Sequence, residues 1–186
     1  MFAAAGNSGK QDPASYPARS PYVVAVRSAD AFGVPSDFNP PPLQGRNFAF
    51  PGERVAAPWP AAVEVGEGEG PVLRPPPKGM RGVWRRLSGT SAATPIAAAV
   101  AAQVLHFCEL KRGLVEPGDS LSGVAALFGM QSVMLAMGAG RWGEGLACHC
   151  QGQHQVFVQP WNALGWDLRH SGGAVRTVRY ALEQVK

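Results

Sequence analysis

A serine-rich turn that leads straight into an apolar helix constrains this chain more than any other feature. The turn reads Leu87-Ser88-Gly89-Thr90-Ser91-Ala92-Ala93-Thr94-Pro95, and an alanine-rich run follows it as far as Cys108. Alanine is the strongest helix former, so the run predicts a helix over 91–108. Pro95 is expected to be tolerated because first-turn amides lack intrahelical partners. A helix this apolar is expected to be buried.

Ser91 lies where the turn enters the helix, and we expect its hydroxyl to be exposed at the helix N-terminus. Free amides and the helix dipole stabilise developing negative charge there, as an acyl-transfer nucleophile requires. The alternative interpretation is that Ser88, Thr90 or Ser91 only caps the helix. The choice between the two depends on other segments of the chain.

Short strands are predicted on both sides of this turn. Met1–Ala5 has the pattern of a buried strand that ends in the turn Gly6-Asn7-Ser8-Gly9, where Gly and Asn tolerate unusual backbone angles. Tyr22–Val26 is an unbroken branched and aromatic run, typical of a strand in a parallel sheet. Further short strands are predicted at Phe48–Phe50, Val55-Ala56 and Val156–Val158.

The remaining segments are loops and short helices. Proline and glycine clusters at 34–45 and 58–82 predict mobile surface loops. Apolar residues at helical spacing predict a helix over 121–128, a second after Gly129, and a weak terminal helix over 175–185.

Composition narrows the function classes. A chain of 186 residues with 46% hydrophobic residues is one domain or part of one. The net charge of +4 is spread along the chain and the five tryptophans lack interleaved basic residues, so no nucleic-acid surface is expected. The most apolar run, 92–105, is too short and too rich in alanine for a membrane span, which needs ~20 apolar residues. No secretion signal is recognised, and the localisation stays open.

Four segments, in chain order, resemble the subtilisin-like serine peptidases. Ala3–Asn7 is similar to the family's oxyanion-hole strand and turn, Tyr22–Ala29 to the strand that follows, and Phe50–Pro58 to the segment before the nucleophile. Fungal members resemble the chain most closely, through 17–20 and Pro160-Trp161. The family's nucleophile motif, Gly-Thr-Ser-x-Ala-Thr/Ser-Pro, is matched at Gly89, Thr90, Ser91, Ala93, Thr94 and Pro95.

The resemblance implies a three-layer α/β fold with a mostly parallel sheet, of which only the C-terminal half is present. Residues 1–109 would run from the oxyanion strand to the nucleophile helix of the peptidase domain. Residues 110–186 would complete or extend that domain. The missing strands and the start inside a strand pattern lead us to expect a fragment of a longer chain, with or without further domains.

Residue roles follow from the same resemblance. Ser91 would be the nucleophile of a serine endopeptidase, and Asn7 with the backbone N–H of Ser91 would bind the oxyanion. Ala4, Ala5 and Gly6 would line the primary specificity pocket. The substrate would be a polypeptide, with no cofactor and no metal site.

The chain departs from the family in its acid–base residues. In the family the aspartate and histidine precede the oxyanion asparagine, whereas all four histidines here follow Ser91: His106, His149, His154 and His170. A serine without an adjacent base is a weak nucleophile, so the chain alone is expected to be nearly inactive. The alternative is a non-catalytic remnant that binds peptides or partners.

Three other patterns are weaker. Gly138–Gly143 matches a dinucleotide fingerprint by letters but is not followed by a helix pattern. Cys148-His149-Cys150 with His154 suggests a zinc-binding module, although structural zinc sites usually have two separated pairs of ligands. Arg81, Arg85 and Arg86 suggest acidic partners or, more simply, a solvated loop.

Overall fold

The part of the chain that the structure describes contains seven strands and two helices, with irregular segments between some of them. The computed structural model describes residues 1–43, 47–60, 78–79, 81–110, 127–138, 147–148 and 155–158. The strands are β1 Phe2–Ala4, β2 Val24–Ala29, β3 Asn47–Pro51, β4 Val55–Trp59, β5 Val83–Leu87, β6 Ala147–Cys148 and β7 Gln155–Phe157. The helices are α1 Thr90–Leu110 and α2 Leu127–Gly138.

Five of these strands form one sheet, in the order β1-β2-β3-β7-β6. β1, β2, β3 and β7 are parallel to one another, and the short β6 is antiparallel to β7. The register pairs Ala4 with Val26, and Val26 with Phe48. This mostly parallel sheet confirms the predicted α/β fold.

The two faces of the sheet carry different side chains. β2 is buried along its whole length, and Val24 and Val26 with Phe48 and Phe50 form the main core together with α1 and α2. The opposite face carries small residues such as Ala3 and Ala25, which pack against Ala18, Val23 and Leu43. Alternate residues of a strand point to opposite faces, so one face accepts helices and the other accepts closely packed chain segments.

Helix α1 is the longest described element and covers the core face of the sheet. Its buried residues recur at helical spacing from Thr90 to Cys108. Among the described helices it is the one with the length and apolar composition to cross a membrane. Here it contacts β1, β2 and β3, as the core helix of an α/β domain does.

β4 and β5 form a separate antiparallel ribbon, in which Val55 pairs with Leu87 and Trp59 with Val83. β5 is absent from the sequence predictions because its two consecutive arginines obscure the strand pattern. Arg85 is nonetheless buried, with its guanidinium 5.0 Å from the ring centre of Trp59. The ribbon matters because it leads from the end of β3 back to the turn before α1.

Several predicted elements are confirmed with shifted ends. The predicted helix over 91–108 is α1, and the helix predicted after Gly129 is α2, which already begins at Leu127. The explanation given for Pro95 was wrong. It is the sixth residue of α1, beyond the first turn, so it removes a donor from the carbonyl of Ser91.

The segment 34–43 differs from the predicted mobile surface loop. It is irregular, but Ser36 and Asn39 are buried and bonded to β2. Arg27 of β2 donates to the carbonyls of Pro40 and Pro41 at 2.6 and 3.3 Å, and burial lowers the pKa of this arginine to about 10. Polar anchoring holds a segment that lacks the apolar residues to fix itself.

Some predictions fall outside the described residues. These are most of the helix predicted over 121–128, most of the loop predicted over 58–82, the terminal helix over 175–185, and the Pro160-Trp161 pair. The division into 1–109 and 110–186 also stays a prediction.

Candidate active site

Three chain segments meet at the carboxyl edge of the parallel sheet. β1 continues into Gly6 and Asn7, β3 continues into Gly52, and α1 begins at Thr90 beside them. Parallel strands all point their carboxyl ends to one edge, and this is where α/β folds place their sites. The fold therefore brings the predicted oxyanion turn and the predicted nucleophile turn together across 83 residues of chain.

Thr90 is the residue that joins the two turns. Its backbone N–H donates to Asn7 Oδ1 at 2.9 Å, and its hydroxyl lies 3.1 Å from the same oxygen. The hydroxyl also accepts from the Gly6 N–H at 3.1 Å and lies 3.3 Å from the Gly6 carbonyl oxygen. Thr90 is fully buried, whereas Asn7 is exposed, so these bonds join the buried start of α1 to a residue at the surface.

These bonds fix the orientation of the Asn7 amide. Because Oδ1 accepts from Thr90, the Nδ2 group is turned away from it, and no described residue accepts a hydrogen bond from Nδ2. Nδ2 lies 3.0 Å from the point where a Cβ on Gly89 would be. Gly89 also has φ of +148°, so this close approach requires glycine on both counts.

Ser91 is the second residue of α1 and is exposed. The Gly89 carbonyl accepts from the N–H groups of Ala92 and Ala93, which makes Gly89 the N-cap. Within the described part of the chain, no residue bonds to the Ser91 hydroxyl or to its N–H. The Asn7 side-chain amide and the Ser91 N–H are thus two donors without a partner among the described residues, and both adjoin the turn at Gly89 and Thr90.

Gly52 supports the nucleophile turn from behind. Its carbonyl accepts from the Gly89 N–H at 2.8 Å, and its own N–H donates to the Ala29 carbonyl at 2.9 Å. A Cβ at this position would overlap Ser28 and lie 3.0 Å from the Ala93 Cβ. Gly52 is therefore wedged between β2 and the first turn of α1.

The ribbon joins the same turn at its base. The Arg54 N–H donates to the Ser88 hydroxyl at 2.9 Å, and Arg54 has φ of 54°, which is uncommon for a residue other than glycine. Ser88 is thus engaged with the ribbon, whereas Ser91 is not.

The predicted pocket residues lie at the end of β1. Ala4 and Gly6 are half-buried, and Ala5 is 1% exposed. The Ala5 carbonyl accepts from the Ser15 N–H at 2.8 Å. Their role as the lining of a primary specificity pocket stays a prediction.

No described histidine lies near Ser91. His106 is exposed on α1, fifteen residues beyond Ser91, which is about 22 Å of helix rise. His149, His154 and His170 lie outside the described residues. Three aspartates precede Ser91, namely Asp12, Asp30 and Asp37, and of these Asp30 accepts from the N–H groups of Phe32 and Val34 and so holds a tight turn.

The suggested zinc module is not tested by the structure, because its His149, Cys150 and His154 lie outside the described residues. Among the residues that are described, no three His, Cys, Asp or Glu side chains come together as a metal site would require.

Sequence reasoning missed the residues behind the turn, namely Ser28, Ser36 and Asn39. They carry no periodic pattern and lie up to 11 residues apart. Gly52 lies within Phe50–Pro58, a segment that the sequence did identify. Its close fit between Ser28 and Ala93 is visible only in the folded chain.

Comparison with known proteins adds an independent line of evidence. The family model described as the subtilase family matches residues 1–111. The comparison with curated protein sequences gave no match.

Solved structures share the fold. A structure of the prenylagaramide maturation protease PagA is 23% identical, with a TM-score of 0.58 over 97% of this chain and 50% of its own. A structure of the patellamide maturation protease PatA is 25% identical, with a TM-score of 0.53 over 99% of this chain and 52% of its own. The PatG macrocyclase domain is 19% identical, with a TM-score of 0.56 over 94% and 42%. The chain spans about half the length of these structures.

Proposed function

This chain belongs to the subtilase family, and on that premise we propose that it carries the nucleophile and oxyanion half of a serine endopeptidase site. Ser91 is the nucleophile. Asn7 and the Ser91 N–H are the oxyanion donors. The single observation that carries the proposal is the Thr90–Asn7 network, which aims an unengaged amide at the turn that holds an exposed serine.

In this mechanism the Ser91 Oγ attacks the carbonyl carbon of a peptide bond, and the carbonyl oxygen becomes a tetrahedral oxyanion. The Asn7 Nδ2 and the Ser91 N–H donate to that oxygen. Since Thr90 holds the Asn7 amide before substrate arrives, little reorganisation is needed when charge develops. A base supplied by the rest of the protein takes the Ser91 hydroxyl proton and gives it to the amine as the C–N bond breaks, and water then hydrolyses the acyl-serine with the help of the same base.

The general base and its orienting aspartate come from outside these 186 residues in our proposal. His106 is too far along α1 to reach the Ser91 hydroxyl, and Asp30 is engaged in its own turn. Without a base the serine proton has no acceptor, so the chain by itself is expected to hydrolyse peptides very slowly.

The first experiment reads the coding sequence upstream of the Met1 codon, in frame. An Asp-Ser/Thr-Gly segment followed by a His-Gly-Thr segment supports the proposal and defines the protein to express. That protein is then treated with a fluorophosphonate probe and assayed on a casein substrate.

Ser91→Ala should abolish both probe labelling and hydrolysis. Ser88→Ala is the matched control, because Ser88 is also exposed and in the same turn but is bonded to Arg54. Full hydrolysis by the Ser91→Ala protein contradicts the proposal.

A second function is favoured by the positions of the histidines, which all follow Ser91. In this alternative the chain is a non-catalytic module that binds peptides at the same edge of the sheet. It predicts saturable binding of an unlabelled casein digest with no fluorophosphonate labelling of Ser91. Labelling of Ser91 would exclude it.

A further inference from the structure

A buried polar network lies behind the nucleophile turn, and Asn39 is at its centre. The Asn39 Oδ1 accepts from the Ser28 N–H at 2.9 Å, and the Asn39 Nδ2 donates to the Ser28 carbonyl at 2.7 Å. The Ser36 hydroxyl donates to the Ser28 hydroxyl at 2.8 Å. All three residues are at most 5% exposed. The amide therefore satisfies both backbone groups of one residue in β2.

This network reaches the nucleophile turn through Gly52. Gly52 approaches Ser28 so closely that a Cβ would overlap the serine side chain, and it lies against Ala93 on its other side. The Gly52 carbonyl accepts from the Gly89 N–H at 2.8 Å. A shift of Ser28 therefore moves Gly52, and with it the residue that caps the helix beginning at Thr90.

The same segment also reaches the oxyanion turn. The carbonyl of Phe38, next to Asn39, accepts from the N–H of Gly9 at 2.9 Å. Gly9 follows Asn7 by two residues and has φ of +65°, so the chain leaving Asn7 is fixed here. We call Ser36–Asn39 the brace, because it bonds directly to the turn that follows Asn7 and reaches the turn that holds Ser91 through Ser28 and Gly52.

We propose that Asn39 is a positioning residue that sets the geometry of Asn7 relative to Ser91, although it touches neither. The inference rests on the proposed function of those two residues. Small displacements matter at such a site, because oxyanion donors act only within a narrow range of distance from the developing charge. An amide suits this role since one side chain supplies both an acceptor and a donor to the backbone.

Asn47 offers a matched control in the same molecule. Its Oδ1 accepts from the Leu43 N–H at 3.1 Å and its Nδ2 donates to the Leu43 carbonyl at 3.0 Å. Asn47 is 2% exposed and begins β3, at the opposite edge of the sheet from Gly52. The two asparagines make the same pair of bonds, and only Asn39 makes them behind the site.

The test compares amide hydrogen exchange, measured by NMR on the full chain, in Asn39→Ala and Asn47→Ala. In Asn39→Ala, the amides of Gly52 and Gly89 should exchange about tenfold faster, as expected for the loss of two hydrogen bonds. In Asn47→Ala, the amide of Leu43 should exchange faster and those of Gly52 and Gly89 should not. Equal acceleration of Gly89 in both variants would overturn the proposal.

Ser36→Ala is the second variant, and it carries the test if Asn39→Ala does not fold. It removes one buried bond to Ser28 and should accelerate exchange of the Gly52 and Gly89 amides about threefold. No change at either amide in a folded Ser36→Ala protein would overturn the proposal as well.

Kinetics separate this inference from the proposed function. In a protein that hydrolyses peptides through Ser91, Asn39→Ala should lower kcat about tenfold with KM unchanged. If kcat is unchanged in Asn39→Ala, the positioning role of Asn39 is contradicted, and the proposed function is not affected. Hydrolysis that survives Ser91→Ala contradicts the proposed function, while the exchange experiment still decides whether the brace controls Gly89.

Discussion

Two buried asparagines, Asn39 and Asn47, hold backbone in the same way at opposite edges of one sheet. Each accepts from an N–H and donates to a carbonyl of a single residue, Ser28 in one case and Leu43 in the other. Asn47 bonds to a residue four positions earlier in the chain, whereas Asn39 bonds to a residue 11 positions earlier. The same chemistry thus serves local folding at the amino edge and the candidate site at the carboxyl edge.

The surroundings of the two asparagines explain this difference. At the carboxyl edge, Gly52 and Gly89 let backbone segments approach more closely than any side chain would allow. Their contacts transmit the position of β2 to the start of α1. At the amino edge, Asn47 is the first residue of β3, and the residues that follow it belong to the core of the sheet. In our proposal, position in the fold, and not the type of side chain, decides which asparagine bears on the candidate site.

The largest expected effect comes from Asn7→Ala, set against Asn47→Ala. In a hydrolytically active protein, Asn7→Ala should lower kcat about 10²–10³-fold, a loss known for one such donor in subtilisin itself, while its unfolding free energy falls by about 1 kcal/mol. Asn47→Ala should leave kcat unchanged and lower the unfolding free energy by about 1–3 kcal/mol. Peptide hydrolysis and urea unfolding measure the two quantities. If Asn7→Ala and Asn47→Ala lower kcat to the same extent, the carboxyl and amino edges of the sheet do not differ in their effect on hydrolysis.

Gly52→Ala tests whether close approach matters at the carboxyl edge. The added methyl group overlaps Ser28, so we expect a loss of about 1–3 kcal/mol in unfolding free energy and slower probe labelling of Ser91. Gly82→Ala is the comparison, since nothing lies within 4 Å and only its φ of +88° opposes the change. It should cost about 1–2 kcal/mol and leave labelling of Ser91 unaltered. If probe labelling of Ser91 is unaltered in Gly52→Ala, the close fit of Gly52 against Ser28 does not influence the site.

Thr90→Val examines the junction between the two turns. Valine keeps the shape but removes the hydroxyl that accepts from the Gly6 N–H, so the unfolding free energy should fall by about 1–2 kcal/mol and labelling of Ser91 should slow. Thr94→Val is the control, because its hydroxyl donates only to the Thr90 carbonyl. We expect it to cost less than about 1 kcal/mol. Denaturant unfolding with parallel labelling would show whether the two threonines differ.

The smallest effect is expected at the far end of α1, where Cys108 is buried. Burial raises the pKa of its thiol, so the folded state holds this proton at a pH where the unfolded state has lost it. The protonated thiol therefore stabilises the folded state, and this part of the unfolding free energy should be lost as the pH rises above about 9. The stability difference between the wild type and Cys108→Ala should narrow from pH 7 to pH 10.

Alkylation provides a second measurement on the same residue. Peptide mass spectrometry should show Cys108 protected from iodoacetamide in the native protein and modified in urea. Equal rates of Cys108 alkylation in the native protein and in urea would show that the thiol is not buried.

Sequence patterns predicted the local elements well. The alanine-rich run gave α1, the apolar runs gave β1, β2 and β3, and the ordered motifs gave the family, because each of these signals is contained in a short window. β5 and the anchored segment 34–43 were missed, since their stability comes from pairing with β4 and from polar bonds to β2.

The sequence by itself identified Ser91 and Asn7 as the candidate site residues, because both stand in recognisable local motifs. Only the tertiary structure decided how they are held. Asn7 meets Thr90 across 83 residues, and Gly52 fits between Ser28 and Ala93. Such contacts depend on the packing of a sheet against a helix, and single polar clamps such as Asn39 leave no periodic signal in the chain. Local propensity therefore specified the elements, and close packing of distant segments specified the site.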